Sequence, residues 1–184
     1  MRIIAGTHRG RLLVTPKGNH TRPTRGRVRE SIFNIIRNEI KGAAVLDLFA
    51  GSGAMGLEAL SRGAMSAVFV DNAKPAWDAM DQNIRALKMT DRSRLLYLDY
   101  ADALRRLQSE KRRFDIIFLD PPYDMTDRDA LFFQIQKSGV LERDALIVFE
   151  RAKWNMLVPT GLTIADERSY GETSVSFIRN ASEA

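Results

Sequence analysis

Short apolar runs and segments of helical periodicity alternate along most of this chain. The apolar runs predict buried strands over 44–49, 68–70, 95–98, 116–119 and 145–149. The first four runs are each followed by a segment of helical spacing, and these helices are expected to end near residues 61, 88, 107 and 137. Two further β-type runs, 162–166 and 174–178, predict an antiparallel hairpin that closes one edge of the sheet. This order is typical of an α/β fold with a mostly parallel sheet.

The start of the chain departs from the alternation. Residues 2–5 and 12–15 are short β-type runs joined by a glycine-bearing turn, which predicts a small hairpin with a basic tip. Apolar residues then recur at helical spacing over roughly 26–40, which predicts an amphipathic helix. Thr24 is the expected N-terminal cap of this helix.

Composition limits the classes of protein that are possible. With 45% hydrophobic positions, 184 residues can form one domain with its own core. The chain has no cysteine, which excludes disulfides, thiolate metal sites and cysteine nucleophiles, and with only two histidines we expect no metal. No apolar run has the length of a membrane span, and the first residues lack the apolar segment of a signal peptide. We therefore expect a cytoplasmic protein, outside membranes, and a monomer.

Positive charge is concentrated near the N-terminus. The net charge is +5, yet residues 1–41 carry ten Lys and Arg against two acidic residues, while the remainder has a net charge of −3. This asymmetry favours contact with a polyanion such as RNA, although a solvated basic face would have the same composition. Arginines near the start of the predicted helix oppose its dipole, a local cost that contacts with phosphates would offset. The predicted RNA-binding residues are Arg9, Arg11, Arg22, Arg25, Arg27 and Arg29.

The predicted fourth strand ends abruptly in the sequence Asp120-Pro121-Pro122-Tyr123. Two prolines cannot continue a strand, so these residues lie on a stiff loop at its carboxyl end, where open α/β sheets bind ligands. The carboxylate of Asp120 and the carbonyl of Pro121 can accept both hydrogens of a planar amino group, and Tyr123 can stack on a base. We predict that Asp120, Pro121, Pro122 and Tyr123 form a catalytic loop, although a proline-rich turn capped by Asp120 would have the same sequence.

A glycine-rich turn follows the first predicted strand. Gly51, Gly53 and Gly56 match the pattern G-x-G-x-x-G, and Asp71 lies twenty residues after Gly51, as in nicotinamide-dinucleotide-binding proteins. Asp47, just before the turn, would be unfavourable beside a pyrophosphate but favourable beside an ammonium group. S-adenosylmethionine carries an ammonium group, a ribose diol and an adenine, and no phosphate. It is the predicted cofactor, although a tight strand-to-helix turn without a ligand would also use these glycines.

The predicted cofactor site includes neighbours of these residues. An acidic residue after the third strand could accept a hydrogen bond from the adenine amino group, and both Asp99 and Asp102 are available. Asp102 is preferred because it opens a short helix, which it could equally well cap. The position of Phe49 favours strand core over a cofactor contact, but Phe49 is included with the cofactor-binding residues as a neighbour of the turn. The predicted cofactor-binding residues are Asp47, Phe49, Ala50, Gly51, Ser52, Gly53, Asp71, Asn72 and Asp102.

These motifs resemble those of a known family. Asp-Leu-Phe-Ala-Gly-Ser-Gly at 47–53, Val-Asp-Asn at 70–72 and Asp-Pro-Pro-Tyr at 120–123 resemble class I S-adenosylmethionine-dependent methyltransferases, in the branch that methylates exocyclic amines of bases. Met-Arg-Ile-Ile-Ala-Gly-Thr-His-Arg-Gly-Arg at 1–11 and Arg-Glu-Ser-Ile-Phe-Asn at 29–34 are similar to the bacterial 16S ribosomal RNA (guanine-N2) methyltransferase D family. The resemblance covers nearly the whole chain.

The resemblance implies a fold and an activity. The implied fold is a Rossmann-like sheet of seven strands, with a basic N-terminal extension at 1–41 and a methyltransferase domain at 42–184. The implied reaction is transfer of a methyl group from S-adenosylmethionine to the N2 amine of the guanine numbered 966 in 16S rRNA. The partner would be 16S rRNA within the small ribosomal subunit or one of its assembly intermediates.

The resemblance also implies a role for each motif. Asp47 and residues 51–53 would line the methionine side of the cofactor, Asp71 would hold the ribose and Asp102 the adenine. Residues 120–123 would hold the flipped guanine. Three other functions fit parts of the sequence: a DNA adenine or cytosine amino-methyltransferase, an NAD-dependent oxidoreductase, and a non-catalytic RNA-binding assembly factor.

Overall fold

The computed structural model of the protein describes residues 1–16, 23–122, 125, 128–152 and 161–180. The helices in these ranges are α1 (Pro23–Ile35), α2 (Ala54–Ser61), α3 (Lys74–Ala86), α4 (Tyr100–Ser109) and α5 (Arg128–Lys137), with a short 3-10 helix at Thr90–Arg92. The strands are β1 (Ala44–Asp47), β2 (Ser66–Asp71), β3 (Ser93–Tyr97), β4 (Phe114–Leu119), β5 (Leu141–Ala152), β6 (Leu162–Tyr170) and β7 (Thr173–Asn180). None of the helices in the described ranges has the length and apolarity to cross a bilayer.

All seven strands form one sheet in the order β3-β2-β1-β4-β5-β7-β6. The pairs from β3 to β5 are parallel, and β7 runs antiparallel to both β5 and β6. The predicted α/β fold, with a mostly parallel sheet and an antiparallel C-terminal hairpin, is confirmed. The order reverses between β1 and β4, so the chain leaves these two strands on opposite sides and opens a crevice above their carboxyl ends.

Apolar side chains on the sheet divide between two core clusters, one on each face. Val45 and Ile116 belong to the first cluster, whereas their neighbours Leu46 and Ile117 belong to the second. This alternation is the two-residue period of a strand that is buried on both faces. It explains why the sequence pattern of these strands is a continuous apolar run.

The N-terminal residues pack into the same body. Hydrogen bonds join Ile3 to Arg11 and Leu13 to Met1, so the predicted hairpin is present as a short antiparallel pair. Ile3 and Leu13 are buried in the first core cluster, together with the inner face of α1. The boundary at residue 41 is therefore not a break in the hydrophobic core, and the division into 1–41 and 42–184 stays a prediction.

The limits of several elements differ from those expected, most clearly those of α1 and β5. Helix α1 begins at Pro23 and ends at Ile35, so Thr24 lies inside the helix rather than capping it. The apolar stripe continues after the helix, because Ile40 is still 1% exposed in the turns that follow. Strand β5 extends beyond its apolar run at both ends, since Leu141 pairs with Phe114 of β4 and the residues from Glu150 to Ala152 pair with β7.

Candidate active site

A cavity of about 780 Å³ opens at the carboxyl ends of the strands, above the point where the sheet order reverses. The ends of β1, β2 and β4 each contribute a carboxylate to its wall: Asp47, Asp71 and Asp120. Its volume is in the range of small-molecule sites in proteins. The two predicted motifs, the glycine-rich turn and the proline loop, therefore lie on one cavity.

The glycine-rich turn has the backbone geometry that its glycines permit. Gly51 has φ of 56° and Gly53, which precedes α2, has φ of 76°, both in the left-handed region that side chains disfavour. The N–H of Ala50 bonds to the carbonyl oxygen of Val70 at 2.9 Å, which fixes the start of the turn against β2. The turn thereby holds the backbone of Gly51 at the cavity wall.

Gly56, the third glycine of the pattern, allows close packing of α2 against β2. A Cβ atom at this position would lie 2.3 Å from Cε1 of Phe69, whose side chain is fully buried in β2. The glycine allows α2 to approach the sheet closely, and it also donates its N–H to Asp47.

Substitution of Gly56 by alanine is expected to lower the free energy of unfolding by about 1–3 kcal/mol, because the added Cβ would overlap the fully buried ring of Phe69. Urea denaturation would measure the loss. The matched control is Gly26→Ala in α1, where a Cβ would meet no atom within 4 Å and should leave stability unchanged or slightly higher. An alanine at 56 that is as stable as the wild type would contradict the packing role.

Asp71 closes the turn from the end of β2. Its Oδ2 accepts a hydrogen bond from the N–H of Gly51 at 2.8 Å, and its Oδ1 accepts one from Ala73 at 2.9 Å. Each carboxylate oxygen can accept a second hydrogen bond. The side chain is thus fixed at the cavity wall with acceptor capacity left for a diol.

Asp47 is the buried carboxylate of the site. Its side chain is 4% exposed and accepts a hydrogen bond from the N–H of Gly56 at 3.0 Å. Burial raises the pKa of Asp47 to about 7; the bond from Gly56 opposes this rise, and the nearby charges of Asp120 and Asp71 add to it. A cationic ligand beside Asp47 would relieve this unfavourable burial of negative charge.

The residues beyond β3 differ from the expectation. Asp102 forms an ion pair with Arg105 and does not line the cavity, whereas Asp99 and Tyr100 do. Asp99 caps α4 by accepting the N–H of Asp102 at 2.9 Å, and this bond lowers the pKa of Asp99. The structure therefore favours Asp99 over Asp102 as the acidic residue at this wall. Phe49 is half-buried, has its ring centroid 5.7 Å from that of Tyr100, and lines the cavity, and its contact with a cofactor stays a prediction.

The proline loop follows the last buried residue of β4. Asp120 is exposed at the cavity, Pro121 is buried, and the carbonyl oxygen of Pro122 accepts a hydrogen bond from the N–H of Met125 at 3.0 Å. All three line the cavity, and so does Met125. Tyr123, the fourth predicted residue of this loop, lies outside the described residues.

The remaining predicted cofactor residues also surround the cavity. Ala50, Ser52 and Asn72 line it together with Gly51. Gly53 is buried behind the wall, where it packs near Phe69 and Met80.

The predicted RNA-binding arginines fall into different environments. Arg9, Arg11 and Arg27 are exposed, and Arg11 also donates to the carbonyl oxygen of Ala86 at 3.4 Å. Arg25 lies in α1, and Arg22 lies outside the described residues.

Arg29 departs from the prediction. Its side chain is 6% exposed, donates to the carbonyl oxygen of Arg2 at 2.6 Å, and has Nε 4.0 Å from Oε2 of Glu58. Burial lowers the pKa of Arg29, and the Glu58 carboxylate opposes this change. The structure removes Arg29 from the candidate contacts with RNA phosphates, because its side chain is almost completely buried beside Glu58 and is not on the outer surface of the hairpin.

Several residues that line the cavity were not predicted from the sequence. Met1, Thr15, Pro16 and Glu150 also line it. Glu150 could have been found, since it follows the fifth apolar run as Asp71 follows the second. No local signal marks the N-terminal residues, because only the folded chain brings the hairpin to the cavity.

The charged side chains of the cavity wall limit the classes of ligand that can bind there. Among the described lining residues there are five carboxylates, Asp47, Asp71, Asp99, Asp120 and Glu150, and one guanidinium, that of Arg29. Such a wall disfavours a pyrophosphate and favours a ligand with positive charge. A sheet with this strand order and reversed β7, carrying such a cavity above its switch point, defines the class I methyltransferase fold.

Comparisons with known proteins agree with this class. The profile of the family described as Conserved hypothetical protein 95 matches residues 1–179. The protein YlbH of Bacillus subtilis is 38% identical over 97% of this chain and 98% of its own length. Ribosomal RNA small subunit methyltransferase D of Haemophilus influenzae is 33% identical over 98% of this chain and 94% of its own length.

A solved structure, that of yhhF from Escherichia coli, superposes with a TM-score of 0.86 at 32% identity, covering 100% of this chain and 99% of that chain. The chain therefore belongs to the family of ribosomal RNA small subunit methyltransferase D, as the motifs predicted. Its activity is methyl transfer.

Proposed function

We propose that this protein transfers a methyl group from S-adenosylmethionine to the exocyclic N2 amine of a guanine in 16S rRNA. One observation carries the proposal: Asp120 and Pro121 line the same cavity as Asp47 and Asp71. A methyl donor and a base amine held by these two groups of residues would meet inside it. The choice of guanine 966 follows the family resemblance.

The charge of the cavity supports S-adenosylmethionine as the donor. Among the described lining residues the carboxylates outnumber the guanidinium of Arg29, which fits a ligand with a sulfonium and an ammonium group better than a dinucleotide. Asp47 would hold the ammonium group, because its buried charge needs a cation. Asp71 would accept from the ribose diol through the oxygen lone pairs that its backbone bonds leave available. Asp99 would accept from the adenine amino group.

The proline loop would hold the methyl acceptor. An exocyclic amine is a weak nucleophile because its lone pair is delocalised into the base. The Asp120 carboxylate and the Pro121 carbonyl would accept its two hydrogens and direct the lone pair into the cavity. S-adenosylmethionine supplies an electrophilic methyl group on a positively charged sulfur.

Positioning and charge would account for the rate. Alignment of the amine with the methyl group lowers the entropic barrier, and the stiff proline backbone keeps this alignment without reorganisation. Positive charge that develops on the nitrogen would be stabilised by the Asp120 carboxylate. The methylated nitrogen then loses a proton readily, so no separate general base is required. The guanine would be flipped out of its helix to reach the loop.

The acceptor RNA would approach from the basic N-terminal side. Arg9, Arg11 and Arg27 are exposed there, and the relatives named above include an enzyme of the ribosomal small subunit. We propose the small subunit or an assembly intermediate as the partner.

Replacement of both Arg9 and Arg11 by glutamine is expected to weaken RNA binding and to reduce the slope of log K against log salt by roughly 1–2. Binding would be measured by filter retention over a series of salt concentrations. Arg112 and Arg113 are exposed just before β4, outside the N-terminal segment, and their replacement is the matched control. Equal slopes for the two double variants would argue against a role of the hairpin in phosphate contacts.

The proposal is tested by incubating the protein with methyl-labelled S-adenosylmethionine and small ribosomal subunits from cells that lack the enzyme. The RNA is then digested to nucleosides and the label is identified. Label in N2-methylguanosine at one position is the expected result. Absence of label in RNA, with cofactor binding intact, would overturn the substrate and leave the methyltransferase assignment in place.

A further inference from the structure

Asn83 is a buried polar residue on the apolar face of α3. Its side chain is 2% exposed, and it makes three hydrogen bonds to backbone atoms of two distant segments. Its Oδ1 accepts from the N–H of Val14 at 2.8 Å, and its Nδ2 donates to the carbonyl oxygen of Val14 at 2.9 Å. The same Nδ2 donates to the carbonyl oxygen of Ser52 at 3.0 Å. One amide thus joins the N-terminal segment to the glycine-rich turn.

The segment that Asn83 holds is part of the cavity wall. Thr15 and Pro16, which directly follow Val14, line the cavity. Met1 lines it as well, and its Sδ lies 4.0 Å from Oγ of Ser52. The N–H of Leu13 bonds to the carbonyl oxygen of Met1 at 2.9 Å, so both strands of the hairpin reach the cavity together.

The hairpin is also fastened to α2 along its length. The fully buried carboxylate of Glu58 accepts the N–H groups of Ile4 and Ala5 at 2.7 and 3.0 Å. Ser61 donates to the carbonyl oxygen of Ala5 and accepts the N–H of His8. The open end of the hairpin therefore lies at the cofactor cavity, while Arg9 and Arg11 are exposed at its other end.

We propose that Asn83 is a positioning residue that makes the binding of S-adenosylmethionine and the binding of RNA reinforce each other, an inference that rests on the proposed function. The two states are one in which Val14 is bonded to Asn83 and one in which this segment has opened locally. Cofactor favours the bonded state, because Thr15 and Pro16 then complete its wall. RNA favours it because the segment then holds the basic hairpin in a single position. Two ligands that favour the same state must each strengthen the binding of the other.

The experiment measures this coupling by equilibrium dialysis of labelled S-adenosylhomocysteine, with and without unmodified small ribosomal subunits. For the wild type we expect the affinity for S-adenosylhomocysteine to rise about tenfold when subunits are present. For Asn83→Leu, which keeps the volume and removes all three bonds, the ratio is expected to fall to about one, within twofold. Ser61→Ala is the matched control, because it removes two side-chain hydrogen bonds from the hairpin but leaves the bonds of Glu58 to the hairpin and those of Asn83 to Val14 and Ser52 in place, and its ratio should stay near that of the wild type.

A second measurement needs no variant. Hydrogen exchange of the Val14 amide in the wild type should slow by about tenfold on saturation with S-adenosylhomocysteine, whereas the amides of Thr7 and His8, which bond to Ser61, should change much less. This result is expected even if Asn83→Leu fails to fold.

The outcomes separate the inference from the function on which it rests. If the wild type does not bind S-adenosylhomocysteine, the proposed function fails and this inference fails with it. If it binds equally well with and without subunits, or if the exchange of Val14 is unchanged, only the coupling is overturned. If Ser61→Ala loses the coupling as fully as Asn83→Leu, the assignment to Asn83 is wrong.

Discussion

Substitution of Asp120 by alanine is expected to lower the rate of methyl transfer by at least about 10²- to 10³-fold, as loss of a charge-stabilising group at a reacting centre generally does. The affinity for S-adenosylmethionine should not fall. The charge of Asp120 is one of the causes that raise the pKa of Asp47, so its removal favours ionised Asp47 and, with it, a cationic ligand. Single-turnover rates and calorimetric titration with S-adenosylhomocysteine would separate the two effects.

Two further variants make the test specific. Asp120→Asn keeps one acceptor oxygen and removes the charge, and we expect its rate to lie between those of the wild type and the alanine variant. Asp115 lies on the same strand, near its amino end, and bonds to the N–H of Ala44. Asp115→Ala is the control for loss of a carboxylate from β4 and should keep the wild-type rate. Wild-type turnover in Asp120→Ala would refute the assignment of the proline loop to the methyl acceptor.

The parts of the site that could be predicted from sequence are those fixed by local chemistry. Two prolines after an apolar run define the end of β4, and glycines after another run define the turn at Gly51. Parallel strands have their carboxyl ends at one edge of the sheet, which explains why Asp47, Asp71 and Asp120 lie on one cavity. The position of β4 beside β1 could not be deduced from periodicity, because strand order depends on crossovers between distant segments.

The structure differs from the prediction at residues whose environment is determined by contacts between distant parts of the chain. Asp99 and Asp102 are three residues apart, and only the direction of the first turn of α4 determines which of them lies at the cavity. Arg29 belongs to a run of arginines that suggests RNA, yet its position on the inner face of α1 places it beside Glu58. Asn83 gave no local signal beyond a polar residue on an apolar helix face, since its partners Val14 and Ser52 are far away in the chain.

Asp47→Asn is expected to stabilise the ligand-free protein at pH 8 and to leave its stability at pH 4 nearly unchanged. The pKa of Asp47 rises from an ordinary 3.8 to about 7 in the folded chain. Between these values the unfolded chain releases the proton and the folded chain keeps it, so wild-type stability falls as the pH rises through this window. A rise of this size corresponds to a few kcal/mol above pH 7, as an upper limit. Urea denaturation of both proteins at pH 4, 6 and 8 measures it.

The same substitution should weaken cofactor binding, so stability and function are expected to change in opposite directions at this position. Asparagine can still accept the N–H of Gly56, but it offers no negative charge to the ligand ammonium. We expect the affinity for S-adenosylhomocysteine at pH 8 to fall by about 10- to 100-fold, the usual contribution of a hydrogen bond to a charged group. Wild-type affinity should rise as the pH increases from 6 to 8, because Asp47 must be ionised to hold the cation, and the variant should show a flat profile. An asparagine variant with wild-type affinity and the same pH profile would show that Asp47 does not contact the ammonium group.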